Sequence, residues 1–415
     1  MKIAVPEPLK ELAKRLSQPI YIVGGFVRNS ILFGSQNSTD IDICGVLTPD
    51  QLKSELLGVA KVKDVNPRIG TVLIISGGEE YEYTTFRRDS YPIGGVHTPA
   101  TVEFVTDMKY DVLRRDFTVN ALYCNVSTGE VIDLCGGLSD IENHKLRTVR
   151  RPLETFSEDG LRLLRLVRFA CELCFDIEEE TAKGARESAT QLVDISGERK
   201  REELNRILVS DQKYKTTPNV YYGIKLMAEL DLWKNFLPFD AIKTIDKHIE
   251  DFKILDNVDY RIRLEVFATN LVKYYGENAI KQIFAQDGLV YANVDIDKIT
   301  CAYTLAQTQM DEIELMLFLV KNRWYRQELA LLSDNLKLGI DIESIYELIK
   351  NNGLPLRPKD LDISKSDFDE YGVKFESRGL ALGAMIRKSY SLKRSLTRKE
   401  KLQILKEYGG EKNGN

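Results

Sequence analysis

A change of hydrophobic period near residue 145 constrains this chain more than any other feature. Before it, short runs of β-branched and aromatic residues recur: YIVGG (21–25), DIDIC (40–44), TVLIIS (71–76), YEYTTF (81–86), TVEFV (101–105) and ALYCNV (121–126). Gly, Pro, Asn or Ser separates several of them, as between strands. One helical stretch, Val27 to Leu32, interrupts the series. After Leu146 the apolar residues fall at helical spacing, as in EDGLRLLRLVRFACEL, GERKREELNRILV, DEIELMLFLVKNRWYRQELALLSDNL and RKEKLQILKEY. The cluster NGLPLR (352–357) reads as a joint. The expected class is therefore α+β, a small mixed α/β head followed by an all-α remainder.

A chain of 415 residues is too long for one ordinary core. Its apolar runs fall short of the ~18 residues that cross a bilayer. The opening MKIAVPEPLKELAKRL reads as a short amphipathic helix without an apolar signal core. No membrane partner and a cytoplasmic location are expected. Six scattered cysteines fit reduced thiols, and Cys171-x-x-Cys174 reads as core packing rather than a zinc or redox motif. Three histidines exclude a His-rich metal centre, and His248 in DKHIEDF is not the start of an HD-type hydrolase motif.

The net charge of −5 argues on its face against RNA, but it is unevenly spread. Lys145 to Arg168 carries seven basic and three acidic residues, and Arg387 to Lys406 eight basic and one acidic. Taking these islands of +4 and +7 from the total leaves −16 on the other 371 residues. Either island alone is equally a solvated helix face.

Asp40 and Asp42 are two apart in an apolar strand, so both carboxylates point the same way. Like charges so close call for something positive between them, and a pair of Mg²⁺ ions fits, because hard cations take carboxylate oxygens and also bridge phosphates. Two solvated aspartates at a strand end are the plain alternative. Upstream, Gly24-Gly25 leads through Arg28 into a helix, a turn that lets backbone N–H groups approach a phosphate. Glu82, between Tyr81 and Tyr83, is the candidate third carboxylate, or a polar position of an alternating strand.

The order GG-x-x-R, h-D-h-D-h, h-E-h is the pattern of the polymerase-β nucleotidyltransferase superfamily. Further motifs sharpen it: LRRDFTVNA (113–121), DLCGGLSD (133–140), Glu158-Asp159-Gly160-Leu161-Arg162, and Glu198-Arg199-x-x-Glu202. Together they resemble class II tRNA nucleotidyltransferases, the bacterial-type CCA-adding enzymes and their poly(A) polymerase relatives. The match is strong over residues 20–210, and LDISKSDFDEYGVKFESRGLALGAMI is similar to the family's C-terminal helical segment. Four residues depart from the pattern: Asn29 stands where the family has Asp, Leu134 where it has Pro, Cys135 where it has an aromatic residue, and Lys200 where a branched apolar residue is common.

The resemblance implies a catalytic head (1–145), a base-selecting neck (146–215), a helical body (216–335) and a tRNA-binding tail (336–415). It implies template-independent addition of CCA to tRNA lacking a complete 3′ end, from CTP and ATP, with Mg²⁺ held by Asp40 and Asp42 and completed by Glu82. Gly24, Gly25, Arg28, Arg115, Asp116 and Arg165 would contact the nucleotide. Asp159 and Arg162, three apart on one helix, would read the base: carboxylate accepts, guanidinium donates, and C and A both pair an amino donor with a ring-nitrogen acceptor. Glu198 and Arg199 would brace the neck. The loop in residues 88–113, with Pro92, Gly94, Gly95 and Pro99, favours full CCA addition over CC-only, A-only or poly(A) addition. Lys393, Arg394, Arg398 and Lys399 would grip tRNA. A non-catalytic RNA-binding protein built on the same head is the remaining alternative.

Overall fold

The computed structural model describes all residues except 35–40, 92–99, 238–244, 246 and 410–415. It falls into two compact units. One comprises residues 1–256 with 281–291, and the other 257–280 with 292–415. The division after Asp256 lies inside the segment expected to form the body.

In the first unit a seven-stranded sheet has the order β3-β4-β5-β2-β1-β8-β9. Its strands are β1 (Ile20–Val23), β2 (Asp42–Gly45), β3 (Lys61–Asn66), β4 (Thr71–Ser76), β5 (Glu79–Thr85), β8 (Leu122–Asn125) and β9 (Val131–Asp133). A separate antiparallel pair joins β6 (Arg87–Ser90) to β7 (Thr101–Phe104). The expected loop residues Pro92, Gly94, Gly95 and Pro99 lie outside the described residues. Runs of β-branched and aromatic residues did become strands. In these two sheets three strands went unread: β3 is a charged edge strand (KVKDVN), and β6 (RRDS) and β9 are too short and polar to signal.

The sheet is mixed. β2 and β5 run parallel, with Asp42 beside Glu82, while the neighbouring pairs are antiparallel. In β5, Tyr81, Tyr83 and Thr85 are buried and Glu80 and Glu82 exposed. The alternation that fills the core thus puts Glu82 on the open face. β1 ends at Gly24, whose φ of +75° suits glycine, and the helix Gly25–Phe33 starts there.

Among the described residues beyond the head the regular structure is helical, apart from a two-residue parallel pair between Lys145–Leu146 and Asp176–Ile177. The EDGLR stretch is not one helix. Helix Pro152–Glu158 stops at Asp159, which is extended (φ −147°), and helix Leu161–Leu173 begins after Gly160. Packing requires glycine beside the break, since a Cβ on Gly160 would lie 2.4 Å from the carbonyl oxygen of Gln191. Asp159 and Arg162 therefore do not share a helix face as expected.

The second unit is helical and has its own cores. One gathers Leu361, Phe368, Val373, Met385 and Leu405, and another Met316, Val320, Ile349 and Tyr390. Each such side chain contributes about 1.5–3 kcal/mol of burial. The joint at 352–357 separates helix Ile342–Asn351 from the turn Pro358–Leu361. Among the described residues no helix is long and apolar enough to cross a membrane.

Candidate active site

A cavity of about 550 Å³ in the first unit collects the motif residues: Gly24, Gly25, Arg28, Asp42, Arg115, Asp116, Asp159, Arg162 and Arg165 all line it. A smaller recess of about 210 Å³ is lined by Asp42, Glu82, Arg87, Arg114 and Arg115. Asp42 thus borders both.

Four short segments build the cavity, and hydrogen bonds tie them in series. Asp116 Oδ2 accepts from Arg165 Nε (2.9 Å) and Nη2 (2.5 Å). Its Oδ1 accepts from the Phe117 amide (2.8 Å) and from Asn120 Nδ2 (3.2 Å). Asn120 Oδ1 in turn accepts from Arg28 Nη1. Arg28 donates to Asn29 Oδ1 through Nε (3.1 Å) and Nη2 (2.9 Å), and to the Tyr214 hydroxyl (2.8 Å). The series joins the GG-x-x-R turn, the RRDFT-x-NA segment, the neck helix and the short helix Ser210–Tyr214. Asn29, the family departure, keeps an acceptor on Arg28 but no charge.

The electrostatics follow from burial. Burial opposes ionisation of Asp116, yet the Arg165 guanidinium holds its carboxyl down at about 2. Arg28 is 2% exposed, lies over the rings of Phe169 (5.2 Å) and Tyr214 (5.9 Å), and so is preset rather than floppy. Burial, and then the charge on Asp42, pushes the Glu82 carboxyl up. Asp40 lies outside the described residues. Among the described residues no three His, Cys, Asp or Glu side chains gather as a metal cluster.

Asp159 caps the second neck helix, its Oδ1 accepting from the Leu161 amide (3.0 Å). Arg162 Nη1 donates to the Thr155 carbonyl (3.0 Å) and to Glu158 (3.3 Å), and Nη2 to the Arg114 carbonyl (2.7 Å). Its salt bridge is thus to Glu158, and two of its five N–H donors remain.

Some residues that build the site were not anticipated. Asp111 is fully buried and binds Arg114 and Arg115, three and four residues on, a spacing visible in the sequence. Asn120 was inside a recognised motif without a role. Tyr214, from a distant helix, left no signal. The neck is braced by Glu203 on Arg168 (2.9 Å), not by Glu198, which is exposed at its helix start. Arg199 lines the cavity instead. In the DLCGGLSD segment, Asp133 accepts from the amides of Cys135, Gly136, Gly137 and Leu138, and Asp140 from Thr118 Oγ1 (2.6 Å). Its aspartates therefore build a turn. Cys171 is buried and Cys174 exposed, both free thiols.

The proposed RNA-binding residues lie in the second unit. Lys393 pairs with Glu312 (2.6 Å), Arg394 with Glu400 (2.7 Å), and Arg398 with Asp367. Lys399 is exposed.

A mixed sheet carrying carboxylates on two adjacent central strands, beside an arginine-lined cavity, defines a nucleotidyltransferase head. Residues 20–147 match the Poly A polymerase head domain, and residues 174–241 the family described as the probable RNA and SrmB-binding site of polymerase A. The CCA-adding enzyme of Lactococcus lactis subsp. cremoris (strain SK11) is 31% identical over 377 residues, 89% of this chain and 87% of that protein. That of Bacillus pumilus (strain SAFR-032) is 40% identical over 188 residues, 45% of each chain. The chain belongs to the CCA-adding enzyme family. The Bacillus stearothermophilus CCA-adding enzyme in complex with CTP superposes with a TM-score of 0.73 at 22% identity, covering 97% of both chains. The Thermotoga maritima enzyme complexed with tRNA gives 0.58 at 21% identity, covering 96% and 93%. At these identities the likeness is one of fold.

Proposed function

We propose that this chain adds C, C and A in turn to the 3′ end of tRNA, taking CTP and ATP and releasing pyrophosphate. The observation that carries the reading is the single hydrogen-bonded series that unites Arg28, Asn120, Asp116 and Arg165 around one cavity, with Asp42 and Glu82 at its edge. The names of relatives bound to CTP and to tRNA support it.

In this reading the terminal RNA hydroxyl attacks the α-phosphate of the bound nucleotide, and the bond to the β-phosphate breaks. Arg28 and Arg115, with the Gly24-Gly25 turn, meet the phosphates. Asp159 accepts from the base's amino group, and the remaining donors of Arg162 meet its ring nitrogen. Uracil and guanine offer a carbonyl where that amino group belongs, which leaves buried groups unpaired. Asp42 and Glu82, side by side with like charge and all-oxygen donors, fit a hard divalent cation; Asp40 would complete the set and Mg²⁺ is the expected ion. Such a cation supplies charge for the leaving phosphates and acidifies the attacking hydroxyl. The basic tail residues would contact the tRNA body. A cytoplasmic location goes with these substrates.

The test is incubation with tRNA trimmed of its 3′ end, Mg²⁺ and each labelled nucleotide separately. Incorporation of C and then A, but not U or G, is expected. No incorporation of any nucleotide would leave a non-catalytic RNA-binding protein. Asp159→Ala should admit U or G; unchanged selectivity in that variant would remove Asp159 from base reading.

A further inference from the structure

Arg162 is useful as a base reader only if its guanidinium plane is fixed. Two of its anchors, Thr155 and Glu158, come from the neck beside it. The third and shortest comes from the head: Nη2 donates to the carbonyl of Arg114 at 2.7 Å. That carbonyl belongs to the peptide between Arg114 and Arg115. Both side chains flanking this peptide are tied to one buried carboxylate. Asp111 Oδ1 accepts from Arg114 Nε (2.8 Å) and from the Arg87 amide (3.2 Å). Its Oδ2 accepts from Arg115 Nη2 (3.1 Å) and from the Tyr123 hydroxyl (2.7 Å). Asp111 is 0% exposed, and all four of these donors are directional.

We propose that Asp111 is a positioning residue for base selection, locking the Arg114–Arg115 peptide whose carbonyl sets the plane of Arg162. The proposal rests on Arg162 being a base reader. A guanidinium turned by a loose carbonyl would still carry its charge, so phosphate attraction would survive while hydrogen-bond matching to the base would not. The carboxylate stays charged in its burial: Arg114 and Arg115 hold it down at about 2 although burial works the other way. Asp111 also takes the first amide of β6, so the strand that follows β5 and its Glu82 is fastened at the same point.

The test compares wild type with Asp111→Asn. An amide keeps one acceptor oxygen and turns the other into a donor, so either orientation of the side chain loses two of the four contacts. The ratio of C to U incorporation should fall about tenfold, the worth of a charge-assisted contact, with ATP losing ground to GTP likewise. A purely structural role would lower all four nucleotides together and leave the ratios intact. A folded Asp111→Asn protein with wild-type ratios overturns the proposal. The same ratio is read as equilibrium binding of CTP against UTP, so an inactive wild type sinks the functional reading without silencing this one. Should Asp111→Asn fail to fold, Tyr123→Phe removes one of the four donors from outside the cavity. A smaller fall in the ratio is then expected, and an unchanged ratio overturns the proposal.

Discussion

The two basic islands of this chain look alike in the sequence, yet the three arginines on helix Leu161–Leu173 of the first stand in surroundings opposite to those of the tail, while Lys145 and Arg147 are 40% and 48% exposed. In the neck island the side chains of Arg162 and Arg168 are 7% and 4% exposed, and Arg165, 32% exposed, meets an 8%-exposed Asp116. In the tail island Lys393, Arg394 and Arg398 are 48%, 49% and 50% exposed. Buried guanidiniums with fixed partners make a preorganised site, because their orientation is settled before a ligand arrives. Exposed pairs are worth about 0–1 kcal/mol and are screened by salt, so a phosphate can replace the acid at little loss. In the proposed function the buried arginines of the neck would read the nucleotide, while the tail is able to exchange partners.

The comparison can be broken at its strongest point first. Asp42→Ala should reduce nucleotide incorporation by about 1,000-fold or more, the loss of several kcal/mol of charge stabilisation, while tRNA still binds in a filter or shift assay. Retained incorporation would remove Asp42 from the chemistry. Next, Asp116→Asn leaves the Arg165 and Asn120 contacts half-made inside the neck–head network. It should destabilise the protein by about 3 kcal/mol in urea unfolding, and a change below about 0.5 kcal/mol would mean the network is not structural.

Acid should dissect the same network. Asp111 and Asp116 are each held at about 2, against an ordinary 3.8. A carboxyl depressed by folding stabilises above its unfolded value and loses that contribution as pH falls toward the folded one. Each should therefore contribute about 2 kcal/mol that disappears between pH 5 and 2. Circular dichroism of the first unit's transition across that range measures it; stability flat to pH 2.5 would contradict the assignment. The smallest effects belong to the tail. Neutralising Lys393, Arg394, Arg398 and Lys399 together should cost less than about 1 kcal/mol of stability. It should weaken tRNA binding and lower the salt slope by roughly 0.7–0.9 per lost phosphate contact. An unchanged slope would make this island a plain solvated face.

The motif residues were legible because their chemistry shows in residue type. Glu82 stood out as a carboxylate between two buried tyrosines, and the parallel pairing of β2 with β5 set it next to Asp42. That pairing itself was not legible, since register depends on strand order and not on either segment. The Asp159–Arg162 helix failed because Asp159 is extended and its carboxylate accepts from the Leu161 amide, beside a Gly160 whose added Cβ would meet the backbone of Gln191, thirty-one positions on. Tyr214 reaches Arg28 over 186 positions, and Lys393 finds Glu312 over 81. Such partners are created by the fold. Asp111 was within reach of the sequence, because its three- and four-residue spacing to two arginines is a helical one, but nothing in that spacing announces that the carboxylate is fully buried.

The product itself tests the central claim most directly. Trimmed tRNA incubated with the full chain, CTP, ATP and Mg²⁺ should gain a 3′ end that reads CCA and then stops, as seen by sequencing the terminal residues. A run of A, a stop after CC, addition of A alone or an unextended end would contradict the account.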